Sequence, residues 1–352
     1  LRGCLRSKDV VARQGGDEFT ILLPDMYSEK SAAFIAEQIL NILNKPFFIK
    51  DEELSITPSI GIAMYPDCGT DVTELMKNAD MAMYRAKANG KNRFVFFSKE
   101  MSIAQNESNF LEGELSKALQ QNEFFLEYQP QVGTKTKQII GFEALIRWKH
   151  PKLGIVSPAQ FIPLAEETGF IIELGNWILR TACLEAKRWH NQGFSHLKVG
   201  VNLSVVQFNH ADLIPTISKV LEETELKPEA LDIEITESIA INQNQSVVAK
   251  LEQLQNLGIQ ISIDDFGTGY SSLAYLTKYP INTLKIAREF ICGITTSPLE
   301  EAIISSIITL SKELNLEVIA EGVETEEQWK FLYEQNCDHI QGFFISKPVS
   351  SK

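Results

Sequence analysis

Apolar residues in the last two thirds of the chain follow two different spacings. Short runs rich in Val, Ile and Leu alternate with longer stretches in which apolar positions recur every three or four residues. The short runs predict strands, and the longer stretches predict amphipathic helices. The predicted strands are Phe125–Pro130, Ile139–Arg147, Val199–Ser204, Leu231–Thr236, Ile259–Asp264, Thr283–Ile286, Glu317–Glu321 and His339–Ile345. The predicted helices are Ile171–Gln192, Leu213–Glu223, Gln245–Leu257, Ser271–Lys278, Leu299–Leu314 and Glu326–Gln335.

The alternation of strands and helices predicts an α/β fold with a parallel sheet and right-handed crossovers. Eight strands over about 240 residues match the size of a (β/α)8 TIM-like barrel. One connection departs from this plan, because only Gln131–Gln138 join the first two strands. A parallel crossover needs about a dozen residues or more. The first strand is therefore expected to run antiparallel to the second.

The first 98 residues predict a smaller α+β domain. Gly15-Gly16 lies between two strand-like runs, as in a β-hairpin. The predicted elements are strands at Asp9–Gln14 and Glu18–Leu23, a helix at Ser31–Asn44, paired strands at Phe47–Lys50 and Leu54–Ala63, and a helix at Val72–Ala88. A helical segment follows at Lys99–Gln121. We expect residues 1–98 to form this domain, 99–121 a linking helix, and 122–352 the barrel.

Composition narrows the possible functions of the 352-residue chain. A formal net charge of −13 argues against binding to nucleic-acid polymers, because a phosphate backbone needs a basic surface. Five cysteines, none in a Cys-x-x-Cys pair, argue against a zinc or disulfide framework and favour a reducing compartment. No apolar run approaches the roughly 20 residues of a membrane helix.

Polar side chains recur near the carboxyl ends of the predicted strands. They are Glu143, Asn202, Glu234 with Glu237, Asp264 with Asp265, Lys285, Glu321 and Gln341. The carboxyl ends of the strands form the active-site face of such a barrel, so these groups are expected to meet. A cluster of carboxylates with the one asparagine amide, Asn202, suits Mg²⁺ or Mn²⁺ better than Zn²⁺. Two such ions would activate a water and stabilise the leaving oxygen of a phosphodiester.

The most specific string in the chain is Asp264–Ser272, in which two acids end a strand and two glycines follow. With the other strand ends, it resembles the EAL family of cyclic di-GMP phosphodiesterases. The matching motifs, in the family's order, are Glu143-Ala144-Leu145-Ile146-Arg147, Asn202-Leu203-Ser204, Glu234-Ile235-Thr236-Glu237, Asp264–Ser272, Lys285, Glu321-Gly322-Val323-Glu324 and Gln341-Gly342-Phe343.

The resemblance implies a role for each position. Lys285 would orient or deprotonate the attacking water, Glu237 would hold the glycine-containing loop, and Gln341 would support the site. Arg147 would contact a substrate phosphate, as a forked cation can, and Gln129 would contact a guanine. The implied catalytic residues are Lys285, Glu143, Glu321, Gln341 and Glu237, and the implied metal ligands are Glu143, Asn202, Glu234, Asp264, Asp265 and Glu321.

One position departs from the family pattern. The family's usual Lys-x-Asp reads Lys285-Ile286-Ala287 here, so a carboxylate beside the lysine is missing.

The leading hypothesis for the function of the chain is Mg²⁺- or Mn²⁺-dependent hydrolysis of cyclic di-GMP to linear pGpG. Ala287 leaves a second hypothesis open, in which the EAL domain is a cyclic di-GMP receptor with weak turnover. Hydrolysis of another phosphodiester is a third.

The string Gly15-Gly16-Asp17-Glu18-Phe19 resembles the signature of the GGDEF family of diguanylate cyclases. Lys87 and Lys91 stand where that family places phosphate-binding cations. Arg6 and Asp9 resemble its inhibitory product-binding motif. The resemblance covers only the back part of the domain, so we expect this chain to make no cyclic di-GMP from GTP.

The two resemblances also imply partners and a location. Cyclic di-GMP is the expected ligand, and a homodimer formed through the EAL domain is the expected assembly. A sensor domain could also precede this sequence in the full-length protein. We expect a cytoplasmic protein, whose full-length form could be tethered to the inner face of the membrane.

Overall fold

The computed structural model describes residues 1–26, 28–49, 52–241, 245–268 and 276–351. The chain divides into two units, Leu1–Phe110 and Leu111–Lys352. The first contains a 3-10 turn at Arg2–Cys4 and strands β1 (Val10–Gly15), β2 (Glu18–Leu22), β3 (Phe47–Ile49), β4 (Glu52–Leu54), β5 (Ser59–Ile62) and β6 (Arg93–Phe96). Its helices are α1 (Glu29–Leu43) and α2 (Val72–Ala88), and α3 (Lys99–Gln120) contains the division between the units.

Local signals explain the first elements of this unit. The hairpin predicted around Gly15-Gly16 is confirmed, because β1 and β2 pair antiparallel and Gly16 turns the chain with a φ of 52°. Helix α1 begins after Ser28, whose hydroxyl accepts from the backbone N–H of Ser31. Helix α2 begins in the same way after Asp71. Such caps satisfy backbone donors that a helix leaves unpaired at its start.

The strand pairing predicted for the middle of this unit is correct only at Phe47 and Leu54. The run Leu54–Ala63 was expected to form one strand beside Phe47–Lys50, but it is divided between two strands. Leu54 ends β4, and Ser59–Ile62 form β5 directly after Pro58, which has no N–H to donate to a ladder. The first, β4, pairs antiparallel with β3, and Lys50 lies outside the described residues. The second, β5, pairs in parallel with β6, a strand that the sequence analysis did not predict. A Cβ on Gly61 would lie 1.9 Å from the Ala79 carbonyl, so glycine lets α2 lie directly on β5.

The second unit contains the longer strands and most of the helices. The strands are β7 (Phe124–Gly133), β8 (Ile139–His150), β9 (Gly154–Val156), β10 (Lys198–Leu203), β11 (Leu231–Thr236), β12 (Gln260–Phe266), β13 (Thr283–Ile286), β14 (Glu317–Ala320) and β15 (His339–Gln341). The helices are α4 (Pro158–Thr168), α5 (Ile171–Asn191), α6 (Val205–Asn209), α7 (Leu213–Thr224), α8 (Glu237–Ile241), α9 (Gln245–Asn256), α10 (Arg288–Ile291), α11 (Pro298–Glu313) and α12 (Glu326–Glu334), with a 3-10 turn at Pro228–Ala230. Within the described parts of the chain, no helix combines the length and apolar character needed to span a membrane.

The strands of the second unit close into a TIM-like barrel. Neighbouring strands follow the order β10-β11-β12-β13-β14-β15-β7-β8, and pairing of β8 with β10 completes the ring. Strand β7 runs antiparallel to both β8 and β15, which confirms the orientation predicted from the short connection after it. The other ring pairings are parallel, so the carboxyl ends of these strands meet at one mouth.

Strand β11 shows how the barrel separates apolar from acidic side chains. Ile233 and Ile235 are fully buried, and burying each contributes roughly 1.5–3 kcal/mol. Asp232 and Glu234 are buried as well. Because alternate residues of a strand leave opposite faces, the isoleucines lie on one face and the two acids on the other. This alternation directs the acids into the barrel interior, where Glu234 contacts Lys285 of β13.

Some parts of the barrel differ from the sequence prediction. Strand β9 and helix α4 were not predicted, although Ser157 and Gln160 form a capping box before α4. The eighth strand was expected to reach Ile345 but ends at Gln341. At Gly342 the chain lies against the Val323 backbone, where a Cβ would meet the Val323 carbonyl oxygen at 2.2 Å. Most of the helix predicted at 271–278 lies outside the described residues.

Candidate active site

The side chain of Lys285 is fully buried, and four carboxylates surround its Nζ. The distances to Nζ are 2.5 Å from Glu234 Oε2, 2.6 Å from Glu321 Oε1, 3.4 Å from Asp264 Oδ1 and 3.5 Å from Glu143 Oε2. The acids belong to β8, β11, β12 and the residue after β14. Closure of the barrel therefore gathers residues that are far apart in the sequence around one cation.

The charges in this cluster shift each other's pKa values. Burial alone would lower the pKa of Lys285, but Asp264, Glu143, Glu234 and Glu321 together raise it well above its ordinary value. Burial raises the pKa of Glu234 well above its ordinary value and that of Glu321 to about 8, while Lys285 acts in the opposite direction on both. The lysine is therefore an ammonium at neutral pH, and Glu234 and Glu321 hold protons to a higher pH than exposed carboxylates would.

A distortion of β12 places two consecutive acids at the barrel mouth. In a regular strand, neighbouring side chains leave opposite faces. Here the pairing of β12 with β13 shifts register between Ile263 and Phe266, and Asp265 has a φ of 53°. The Asp265 backbone N–H donates to Asp264 Oδ1 at 2.9 Å. The bulge allows Asp264 and Asp265 to present oxygens on the same side.

The oxygens of this site suit a divalent cation. Asp264, Asp265 and Glu321 each offer one carboxylate oxygen, and these oxygens lie within 4.8 Å of one another. Within the described residues, Glu234 Oε1 is buried without a hydrogen-bond partner. An unpaired buried carboxylate oxygen is costly unless a cation compensates it. The donors are carboxylates, so the residues present fit Mg²⁺ or Mn²⁺.

Two amide side chains hold the carboxylate of Glu143. Asn202 Nδ2 donates to Oε1 at 2.6 Å, and Gln341 Nε2 donates to Oε2 at 2.5 Å. Gln129 joins this cluster, because its Oε1 accepts from Gln341 Nε2 at 3.2 Å. The structure thus gathers these four residues in one hydrogen-bonded group, and the expected contact of Gln129 with a guanine stays a prediction.

Arg147 lies on the same face of β8 as Glu143, four residues further along the strand. Its Nε donates to Glu127 Oε2 at 2.7 Å, and its Nη1 donates to the Ile146 carbonyl at 2.9 Å. The side chain remains 19% exposed. A partly exposed guanidinium held in a fixed direction can bind a phosphate.

Glu237 contacts the segment that follows the two aspartates. It is buried at the start of α8, and its Oε2 accepts from the backbone N–H of Gly267 at 3.1 Å. Gly267 has a φ of 98°, and a Cβ there would lie 2.7 Å from the Phe290 ring. The structure therefore brings Glu237 to the beginning of the loop that it was expected to hold, while residues 269–275 lie outside the described part of the chain.

The residues predicted in the first unit lie on exposed elements. Gly15, Gly16, Asp17 and Glu18 form the turn between β1 and β2, and they are exposed. Lys87 lies in the last turn of α2, and Lys91 follows that helix with a φ of 56°. Of the predicted inhibitory pair, Asp9 Oδ2 accepts from the backbone N–H of Arg6 at 2.7 Å.

Three polar residues near the site were missed by the sequence analysis. They are Glu127, which holds Arg147, Gln131, which bonds Gln341, and Asp232, which accepts from Ser262 Oγ at 2.6 Å. Gln131 lies two residues from Gln129, and Asp232 lies two residues from Glu234. The two-residue period of a strand would have placed both on the interior face.

Comparison with models of known protein families shows the family to which the chain belongs. Residues 112–348 match the family model described as EAL domain. The chain belongs to the EAL family. Residues 1–93 match the model described as diguanylate cyclase, GGDEF domain. The two resemblances stated from sequence are thereby confirmed.

Relatives with the same domain pair include two proteins of Pseudomonas aeruginosa. The bifunctional diguanylate cyclase/cyclic di-GMP phosphodiesterase MucR is 42% identical over 352 residues, which is 100% of this chain and 51% of MucR. The cyclic di-GMP phosphodiesterase NbdA is 38% identical over 349 residues, which is 99% of this chain and 44% of NbdA. This EAL-family chain thus spans about half the length of these curated relatives. The solved c-di-GMP complex of the PaMucR phosphodiesterase superposes with a TM-score of 0.67 at 43% identity, covering 68% of this chain and 97% of that one.

Proposed function

We propose that this chain hydrolyses cyclic di-GMP to linear pGpG with the help of two divalent cations, Mg²⁺ or Mn²⁺. The observation that carries the proposal is a buried lysine inside a ring of four carboxylates at the mouth of an EAL-family barrel. The cyclic di-GMP phosphodiesterase activity named for NbdA and the c-di-GMP complex of PaMucR support this substrate.

The ions would be held by Glu143, Asn202, Glu234, Asp264, Asp265 and Glu321. When bound, such ions polarise a phosphodiester and lower the pKa of an attacking water. Lys285 is an ammonium before the ions bind, so we assign it to orienting the water by donating a hydrogen bond. Gln341 keeps the Glu143 carboxylate in place, and Glu237 supports the loop after Asp265.

Substrate recognition involves a smaller set of residues. Arg147, fixed by Glu127, would contact a phosphate of cyclic di-GMP, and Gln129 would contact a guanine. Incubation of the chain with cyclic di-GMP and Mn²⁺, followed by chromatography, should show pGpG. Intact cyclic di-GMP in a sample that binds the ligand would favour the receptor hypothesis instead.

The receptor remains a second candidate because of Ala287. This residue is fully buried at the start of α10, one position beyond β13, and its backbone is extended (φ −57°, ψ 143°). It therefore leaves the chain on the same side as Lys285, two residues earlier. An aspartate at 287 could bond to the Lys285 ammonium and fix its direction.

Ala287→Asp is expected to raise turnover at least several-fold, because misplacing a catalytic group can cost roughly 10²-fold in rate. Steady-state rates at saturating Mn²⁺ over a substrate series measure the effect. Ala287→Asn is the matched control, since it adds similar volume without charge. Equal turnover in the parental chain and in the aspartate variant would leave residue 287 without the proposed role.

Mn²⁺ binding is expected to strengthen as pH rises from about 6 and to level off near the pKa of Glu321, about 8. Below that pKa the metal-free site holds protons that an ion must displace, so binding at pH 7 releases protons. Calorimetry in two buffers with different ionisation enthalpies counts the protons. An unchanged affinity across this range, with no proton release, would contradict the raised pKa values.

The oligomeric state, the cellular compartment and the domain boundaries are also part of the proposed function. We propose a cytoplasmic protein that forms a homodimer through its EAL domain, with domains at residues 1–98 and 122–352 joined by the helix at 99–121. Light scattering on the chain with and without cyclic di-GMP tests the dimer. The expected lack of cyclase activity stays a prediction, which incubation with GTP checks.

A further inference from the structure

Gln131 contacts the site through Gln341 but is neither a proposed metal ligand nor a proposed substrate contact. Gln131 is buried on β7, two residues from Gln129, and therefore lies on the same interior face. In the ladder between β7 and β15 it stands directly opposite Gln341. Its Nε2 donates to Gln341 Oε1 at 3.1 Å.

The amide of Gln341 makes three bonds, and together they fix its orientation. Its Nε2 donates to Glu143 Oε2 at 2.5 Å and to Gln129 Oε1 at 3.2 Å, while its Oε1 accepts from Gln131. A primary amide has two donor hydrogens on nitrogen and acceptor lone pairs on oxygen. Rotating the group by half a turn would set its oxygen against the Glu143 carboxylate and its NH₂ against the NH₂ of Gln131.

We propose that Gln131 is a positioning residue for the metal site, acting through Gln341 on the Glu143 carboxylate. This inference rests on the proposed function, because it assigns Glu143 to holding a divalent cation. Gln131 selects one of the two amide orientations of Gln341 from the side opposite the carboxylate. Hydrogen bonds that fix a metal ligand from behind typically change metal affinity by roughly 10- to 100-fold.

Replacing Gln131 by methionine removes the donor and keeps a side chain of similar length. The Oε1 of Gln341 then loses its donor, so its amide is held less firmly and Glu143 is less well fixed before the ion binds. Since Gln131 acts one step further from the ion, we expect Mn²⁺ to bind roughly fivefold more weakly, a smaller loss than for residues that bond the ligand directly. Turnover at saturating Mn²⁺ should stay within about twofold of the parental value, because Gln131 is not assigned to the substrate or the water.

Calorimetric titration with Mn²⁺ in the absence of substrate measures binding independently of hydrolysis. Gln207→Met is the matched control: Gln207 is also buried, but its amide caps α6. It should lower stability and leave Mn²⁺ affinity unchanged. Gln131→Leu repeats the test with a different apolar side chain. Parental affinity in both Gln131 variants would overturn the proposal.

A double-mutant cycle separates positioning from simple packing. In a Gln341→Met background, adding Gln131→Met should weaken Mn²⁺ binding no further, because the amide through which Gln131 acts is already gone. Equal losses in the two backgrounds would show that Gln131 only fills space and would overturn the inference. A parental chain that binds Mn²⁺ but releases no pGpG would refute the proposed hydrolysis, and the binding cycle would still decide the role of Gln131. A parental chain without Mn²⁺ affinity would overturn both.

Discussion

Lys285→Met is expected to abolish hydrolysis of cyclic di-GMP and to make folding strongly dependent on metal ions. Methionine has a similar length and no charge. The variant cannot donate a hydrogen bond to the attacking water, and losing the group that orients a reactant lowers rates by roughly 10²-fold or more. Pre-steady-state and steady-state formation of pGpG at saturating Mn²⁺ measure this loss.

The effect on stability follows from the four acids that surround Nζ. Removing one partner of a buried ion pair leaves uncompensated charge and costs about 3–5 kcal/mol. In EDTA the variant should therefore unfold at a clearly lower temperature than the parental chain. Mn²⁺ should restore much of the difference, because a cation replaces the ammonium as counter-charge and ligand binding adds stability by mass action.

A lysine elsewhere in the barrel provides the control. Lys312 is exposed near the end of α11, and Lys312→Met should change neither turnover nor the response to Mn²⁺. A Lys285→Met variant that hydrolyses cyclic di-GMP at the parental rate would remove the lysine from the catalytic group. An unfolding temperature in EDTA equal to that of the parental chain would show that the acids are neutralised by bound protons and do not need the lysine.

The barrel strands could be predicted because each carries its own signal. Runs of β-branched residues mark β11 and β13, and the short connection after β7 is enough to reverse the direction of that strand. The strands of the first unit show the limit of local signals. The pairing of β5 with β6 joins segments that α2 separates, and a run of apolar residues does not specify a distant partner.

The composition of the site could be predicted, but not its geometry. Glu143, Glu234, Asp264 and Glu321 could be identified from their positions near the carboxyl ends of predicted strands, because a barrel brings these ends together. The position of Asp265 depends on a bulge and a left-handed residue, which depart from the regular two-residue period. Gln131 is a different case. The two-residue period places it on the same face as Gln129, but it lies outside the family motifs that identified the other site residues.

Glu143→Ala is expected to abolish hydrolysis while cyclic di-GMP binding through Arg147 persists. Glu143 holds two amide donors and lies 3.5 Å from Lys285, and its carboxylate is proposed to bind a metal ion. Alanine removes the ligand and leaves the Asn202 and Gln341 amides without their acceptor. A carboxylate ligand of this kind cannot be replaced by a side chain nearby, since the other acids are proposed to bind the ions themselves.

Asp264→Ala should behave in the same way, because it removes a second proposed metal ligand, whose Oδ1 lies 3.4 Å from Lys285 Nζ. Glu143→Gln keeps the shape of the side chain but replaces an acceptor oxygen by a donor NH₂ beside Asn202 or Gln341, so this variant should also be inactive.

Glu313→Ala, at an exposed position on α11, is the control and should keep full activity. Turnover at saturating Mn²⁺, Mn²⁺ affinity by calorimetry and cyclic di-GMP binding by equilibrium dialysis distinguish the effects. Hydrolysis near the parental rate in a folded Glu143→Ala or Asp264→Ala variant would mean that the ions bind elsewhere, because a ligand removed from a two-ion site cannot leave both ions positioned for the same displacement.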